Sequence, residues 1–589
     1  MPIRSIRSLS LSATLIMLTI SLMAQTALTQ DQRLGWWRDA RFGLFIHWGP
    51  VSLIGKEISW SRADYGKSRY DSLYRRFNPT RFNAREWVAQ AKAGGMKYVV
   101  LTAKHHDGFC LWNTKSTTYN IMSTPFGRDV CKELADAARE AGLKIGWYFS
   151  LADWKDSDCR NPASNNEFVG RMMTQLTELL TNYGPIDLLW FDYEGSPSPA
   201  KPKQVYELVH RLQPDIILNN RLEVFSPDES HSQPGTYGDY ATPEGFVAGF
   251  GQTPWETCTN MGHQWAWKFG DTPRSLSESV HTLLRCVGSN GNLLLNVGPD
   301  SLGQFPALFT NRLYDLGSWI KPRSEAIYGT KGGPYTPTDS YVCTQKDNKI
   351  FLHILTGTDG TIVLPPLPVP IKQATLLTGG PVTFRQRKEN LELVIPTAMR
   401  DSIATIITLT IDQPAATLSL IRPFSKTGSL AYTKSARASS ELSSFLHNAD
   451  ATVDDDPKTY WKLGRRRDGQ FDAYYGTDLS FQSAKLQALF NSTGWLEIDL
   501  GKPQRVGQVM VNAFIPAKTS AVTPQIGRFA IQYEKDQQWI TLMSGQQPGS
   551  EWRKTITPVT AKRFRLIIQE SVGSIGIREF QLFPPKSTN

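Results

Sequence analysis

Between about residues 35 and 330, short apolar runs alternate with stretches whose apolar positions recur every three to four residues. The runs at 43–47, 98–102, 144–149, 186–191, 216–219 and 291–297 read as strands. The periodic stretches read as helices. One over 83–93 follows an Asn cap and stops at Gly94-Gly95, and one over 129–141 starts on an Asp cap and stops at Gly142. Others cover 168–182, ending at Gly184-Pro185, then 203–212 and 275–287. Caps, glycine stops and the helical period support these assignments. Strands alternating with helices predict a parallel sheet, and this length suits a (β/α)8-like barrel with its active site at the C-terminal strand ends.

After Gly329 the helical period stops. Residues 333–422 hold short alternating strands (361–364, 391–395, 405–410) between Pro and Gly turns, the pattern of a small antiparallel β-sandwich. A Ser/Thr/Ala-rich stretch at 425–440 reads as a boundary, and 430–585 is again β-rich, with strands at 494–500, 505–513, 529–533, 539–543 and 563–568. A chain of 589 residues exceeds what one core supports, since single cores stop growing near ~250–300 residues. The expected organisation is a leader at 1–27, a barrel at 28–332, a sandwich at 333–424 and a second β-domain at 425–589.

The leader carries Arg4 and Arg7 before a short apolar run from Leu9 to Ala24, with small residues at Ala24 and Ala27 for cleavage. An exported protein, periplasmic or secreted, is expected. No later run reaches the ~18 apolar residues of a membrane span, so no membrane insertion is expected. The formal net charge of +10 comes from scattered Lys and Arg with one short run, Arg465-Arg466-Arg467, and no basic stripe that would indicate nucleic acid. Six dispersed cysteines form no CxxC pair and no zinc spacing. The 17 Trp and 20 Tyr suit both β-sandwich cores and stacking on sugar rings.

Candidate chemistry gathers at the strand ends. "PIDLLWFDYEG" delivers Asp192 at the end of an apolar run, a rigid position for a glycosidase nucleophile, with Glu194 two residues on. "TPWETCTNMGHQWAW" places Glu256 among aromatic residues, where lost hydration would raise its pKa and suit a general acid. Glu244 and Asp239 in "GDYATPEG" compete for that role. "FGLFIHWGP" and "LTAKHHDGF" place His47, His105 and His106 at two strand ends. Adjacent His105 and His106 can share one pocket only where the strand bends. With no HExxH motif and no carboxylate at ligand spacing, these imidazoles read as sugar-hydroxyl partners. Arg221 in "LNNRLE", Tyr148 in "GWYFSLADW", and Glu57 and Trp60 in "GKEISW" complete the set.

Taken in order, "RFGLFIHWGPVS", "LTAKHHDGFCLW", "LLWFD", "WETCT" and "GNLLLNVGPDSLGQF" resemble α-L-fucosidases of glycoside hydrolase family twenty-nine. The resemblance implies a retaining exo-glycosidase that releases terminal α-L-fucose from a fucosylated oligosaccharide or glycoconjugate through a covalent fucosyl ester. No cofactor is implied for catalysis. Asp192 matches the family nucleophile and Glu256 a Glu often assigned as acid/base. His47, Glu57, Trp60, His105, His106, Tyr148, Trp190, Arg221, Trp255 and Trp267 would bind the sugar. The family usually has Trp directly after the first-loop Glu, whereas this chain has Ile58, with Trp60 two residues further on. An exo-galactosidase on the same scaffold, or a catalytically inactive glycan-binding protein, are the alternatives. Residues 430–585 resemble discoidin-like (coagulation factor five/eight type C) domains, through "NADATVDDDPKTYWK", "GWLEIDLGKPQRVGQVMV" and "GIREFQLF". That resemblance implies a jelly-roll sandwich with a structural calcium at Asp450, Asp455 and Glu579.

Overall fold

The computed structural model describes residues 28–192, 201–222, 236–245, 247, 250–251, 253–356, 360–439, 448–456, 459–462, 493–514, 525–572 and 575–585. The expected leader and Glu194 lie outside them. Seven strands form one parallel sheet: β1 (Phe42–Ile46), β2 (Tyr98–Lys104), β3 (Lys144–Ser150), β4 (Leu188–Asp192), β5 (Ile217–Leu218), β6 (Glu256–Asn260) and β7 (Asn292–Val297). Their spatial order is β5-β4-β3-β2-β1-β7-β6. Between β5 and β6 runs an irregular segment. Tyr240 bridges Asn219 of the β5 side, while Ala241 and Glu244 bridge Trp255 and Cys258 of the β6 side, all in parallel. Residues 240–244 thus fill an eighth position, and the sheet curls into a (β/α)8-like barrel.

Apolar runs serve both faces of these strands. Phe45, Tyr98, Val100, Tyr148, Trp190 and Leu294 fill the interior. Leu44, Ile46, Val99, Leu101, Leu189 and Leu295 face outward into the helix layer. Gly43 is required where it stands, because a Cβ there would lie 2.3 Å from the Tyr98 ring. The N-terminal end is plugged by helices Gln30–Arg33 and Gly35–Ala40, the first held by a Thr29/Gln32 capping box. Trp37 is buried there and its carbonyl accepts from Asn292 Nδ2 at 2.7 Å.

Beyond the barrel, a five-stranded sheet and a three-stranded sheet enclose an apolar core running from Tyr335 to Ala415. Val342, Phe351 and Ile406 of this layer join the barrel's outer core, and Arg323 pairs with Asp401 at 2.6 Å. Long antiparallel strands, among them Gly494–Phe514, Trp552–Ile568 and Gly576–Phe583, surround a separate core of their own. Among the described residues all six cysteines are free and buried. No helix among those residues is long and apolar enough to cross a membrane.

Candidate active site

Asp192 is the last residue of β4, at the C-terminal mouth of the barrel. Tyr148 donates to its Oδ2 at 2.8 Å, and Arg221 Nη1 donates to its Oδ1 at 2.9 Å. Burial alone would raise the Asp192 carboxyl. The Arg221 charge, with His106 and these hydrogen bonds, brings it instead down to about 2. Asp192 is therefore ionised at neutral pH. Arg221 stands on the turn just after β5, fixed by Thr242 Oγ1 at 3.0 Å and lying 4.5 Å over the Trp190 ring. Its other terminal nitrogen, Nη2, donates to Glu244 Oε2 at 2.9 Å. One guanidinium therefore holds two carboxylates. Asp192 is mostly buried, whereas the Glu244 side chain keeps 38% of its exposure.

Three imidazoles meet beside this pair. β2 ends at Lys104, so His105 and His106 follow the strand where the chain turns. The bend that both need is present. The His105 ring stacks on Tyr148 at 5.2 Å, and its Nδ1 lies 2.6 Å from Ser59 Oγ. His106 Nε2 lies 3.6 Å from Asp192. The Ser150 hydroxyl donates to the Ala152 carbonyl, so its oxygen takes the proton of His106 Nδ1, 2.6 Å away. Burial lowers His106 to about 4 and His47 to about 3. Both are neutral at pH 7, suited to exchanging hydrogen bonds with hydroxyls rather than to pairing with charge.

Several expected site residues lie elsewhere. Glu256 is the first residue of β6, in register with Asn292 at the start of β7. It therefore sits at the barrel floor, at the opposite end from Asp192. It is fully buried and accepts from Tyr98 OH and, at 3.1 Å, from Trp37 Nε1. Burial raises it to about 7 against those donors, the expected direction, but at a carboxyl that lies at the other end of the strands from Asp192. Trp255 points outward into the helix layer, against Gly291, and cannot reach a sugar. Asp239 is consumed by Arg33 at 2.7 Å and by the Leu218 N–H at 2.8 Å. Trp267 packs edge-on against Phe269 at 4.4 Å. The ring that meets His47, at 4.9 Å, is Trp265, which sequence reasoning did not single out. Trp60 is 47% exposed and lies edge-on to Trp154 and His106 at the rim. Glu57 commits its carboxylate to main chain, accepting from the backbone of Trp265, Ala266 and Ile58.

In the C-terminal region two of the three expected calcium ligands come together, Asp455 and Glu579 accepting from the same Gln581 Nε2 at 2.8 and 3.2 Å, while Asp450 is engaged separately. Asp450 accepts from the Ala436 N–H, and Asp455 is occupied by Ser425, Lys426, Thr427 and Gln581. Among the described residues no three His, Cys, Asp or Glu side chains form a metal-ligand group. Glu579 differs from the other two. Its Oε1 is buried with no hydrogen-bond partner, and burial beside Asp454 and Asp455 pushes its carboxyl up to about 9.

A carboxylate held ionised among aromatic rings and neutral imidazoles at the C-terminal mouth of a parallel barrel is an arrangement that glycoside hydrolases use. Residues 21–325 match the family model described as Alpha-L-fucosidase. Plasma α-L-fucosidase of Homo sapiens is 29% identical over 359 residues, covering 54% of this chain and 74% of that protein. Its Rattus norvegicus counterpart is 31% identical over 333 residues, covering 50% and 70%. Among solved structures, α-L-fucosidase isoenzyme 1 from Paenibacillus thiaminolyticus is 35% identical with a TM-score of 0.60, covering 65% of this chain and 100% of that one. The α-fucosidase of Thermotoga maritima, in complex with a mechanism based inhibitor, is 29% identical with a TM-score of 0.55, covering 64% and 96%. The chain belongs to the α-L-fucosidase family.

Proposed function

We propose that the enzyme releases terminal α-L-fucose with retention, with Asp192 as nucleophile and Glu244 as acid/base. The observation that carries this reading is the shared guanidinium: Arg221 binds both carboxylates, each at 2.9 Å. In the first step Asp192 attacks the anomeric carbon while Glu244 protonates the departing oxygen. In the second step Glu244 takes a proton from water, which hydrolyses the ester. The site geometry fits this alternation: Arg221 bridges the two groups, and esterification of Asp192 leaves the guanidinium with Glu244 as its remaining partner.

Fucose, rather than galactose, is supported by the rings around His47. Phe45 meets the rings of Tyr148, Trp190 and Trp265, and of these four Trp265 is the one left partly exposed, an apolar wall beside His47. A C6 methyl gains from such a wall, whereas a C6 hydroxyl would have to shed water there. Parallel assays on nitrophenyl α-L-fucoside and galactosides test this. The expected kcat/KM ratio favours the fucoside by at least about 100-fold, the scale of a hydroxyl buried without a partner. Equal rates would sink the assignment.

For the remaining chain we propose export through the N-terminal leader and a discoidin-like jelly roll from about residue 430. The separate core and antiparallel strands support the latter. We propose calcium beside Glu579 in place of the three-residue set, because a cation would satisfy its buried, unpartnered oxygen. Calcium added after chelation should raise the melting temperature of the C-terminal transition by several degrees, and Glu579→Gln should abolish that rise. A melt indifferent to calcium removes the site.

A further inference from the structure

Glu57 comes from the first loop and would be expected to bind sugar, yet its oxygens are committed to main chain. Oε2 accepts from the Trp265 N–H at 2.9 Å, and Oε1 accepts from the N–H groups of Ala266 at 2.9 Å and Ile58 at 3.0 Å. The carboxylate clasps the loop after β1 to the loop after β6. The next residue, Ile58, is buried in a small satellite core with Val51, Tyr70, Leu73 and Ala266, which anchors the same clasp from below. Burial raises the Glu57 carboxyl above its ordinary value, with the three backbone donors opposing that shift.

What the clasp controls can be followed atom by atom. The Trp265 carbonyl accepts from Asn296 Nδ2 at 2.7 Å, and Asn260 Oδ1 accepts from the same nitrogen at 2.9 Å. Both amide hydrogens of Asn296 are thereby used, and the amide is held in one orientation. Its Oδ1 must then be the atom facing His47 Nδ1, 2.8 Å away. An oxygen there requires a proton on Nδ1. Because His47 is neutral at pH 7, its Nε2 carries a lone pair. Nε2 makes no hydrogen bond among the described residues, and the imidazole stands between Phe45, His105, Tyr148 and Trp265.

The geometry points to Glu57 as a positioning residue that acts through the Trp265–Ala266 main chain and Asn296 to fix His47 as an Nε2 acceptor for a sugar hydroxyl. The inference rests on the proposed site at Asp192 and Glu244, and it assigns Glu57 no contact with the substrate. Losing the clasp frees the 265–266 turn, lets the Asn296 amide rotate and allows His47 to take the other tautomer, which presents a donor where an acceptor is needed.

The test uses the full chain labelled with 15N-histidine, with the His47 resonances assigned by His47→Asn. In the parent protein His47 is expected as a single Nδ1–H tautomer. In Glu57→Gln and in Asn296→Ala it is expected to populate both. On nitrophenyl fucoside each variant should lose about 10- to 100-fold in kcat/KM, the scale of a hydrogen bond to a charged or critical group. The double variant should lose no more than the larger single loss, because both act along one chain. Should Glu57→Gln fail to fold, Asn296→Ala leaves the clasp intact and tests the tautomer alone. A His47 that keeps one Nδ1–H tautomer in the variants, or losses that multiply in the double variant, overturns the inference. The tautomer readout needs no turnover, so an inactive parent protein would count against the proposed function and leave this result standing.

Discussion

Asp192→Gly lowers kcat/KM on nitrophenyl fucoside by about 10⁴-fold or more, the scale lost with a covalent nucleophile. Azide restores turnover and yields the β-fucosyl azide. The small anion enters the space left by the carboxylate, on the face of the ring that Asp192 occupied, and a single displacement inverts the α-linkage. Folding should survive, because Arg221 keeps Glu244 as a partner when Asp192 is removed. A guanidinium left with no partner would cost several times more, about 3–5 kcal/mol. The melting temperature checks this independently of activity. In the unsubstituted enzyme, a fluorinated fucoside that forms the ester but hydrolyses slowly should add its mass to the peptide carrying Asp192. Near-native activity in Asp192→Gly, or a label on another carboxylate, would refute the nucleophile assignment.

The barrel was legible because its strands are buried on both faces. The run ending in Phe191 reads as a strand, and β4 is Leu188–Asp192, delivering its carboxylate at the mouth. Asn83 and Asp129 were readable caps, and both accept backbone N–H groups at the starts of helices Ala84–Ala93 and Val130–Glu140. Two pieces escaped. The β6 sequence, Glu-Thr-Cys-Thr-Asn, is polar enough to hide a strand, and 240–244 lacks a regular ladder. Both flank the acid/base question, which explains why Glu256 attracted a role that its place at the start of β6 does not favour. Aromatic neighbours do predict a raised carboxyl, but they do not say which end of a strand the carboxyl occupies. Had 256–260 been recognised as a strand, its leading position alone would have put Glu256 on the floor.

Arg221 ties the two halves of the site together. It pairs with both carboxylates and lies on Trp190, whose ring stacks on Tyr148, the hydrogen-bond donor to Asp192. Short-range sequence patterns cannot display such a hub, because its parts come from β3, β4, the turn after β5 and the irregular eighth position. Asp192, Tyr148 and Arg221 were nonetheless visible at or near expected strand ends, whereas Glu244 showed only as a carboxylate in a segment with no expected strand. The spacing of the chain supplied the residues, and the curl of the sheet supplied their convergence.

Glu244→Ala and Glu256→Gln should separate cleanly, although both remove a carboxylate. Glu244→Ala should lose about 10²- to 10⁴-fold in kcat, the usual worth of a general acid–base group, with the loss largest for substrates whose leaving group needs a proton. Added azide should restore part of the rate, because it intercepts the ester without help from a base. Glu256→Gln should keep kcat within about threefold. At pH below 7 the Glu256 carboxyl is mostly neutral, and an amide oxygen can still accept from Tyr98 and Trp37. Stability gives the reciprocal sign. The folded-state value of about 7 lies above the ordinary 4.5, so the native protein holds a proton that the unfolded chain releases. Stability should therefore fall as pH rises from 4.5 to 7 and stay low above that. Glutamine does not titrate, so Glu256→Gln should melt at the parent temperature near pH 4 and above it at pH 8. Loss of activity in Glu256→Gln with full activity in Glu244→Ala would reverse the two roles and require the floor of the barrel to take part in the chemistry.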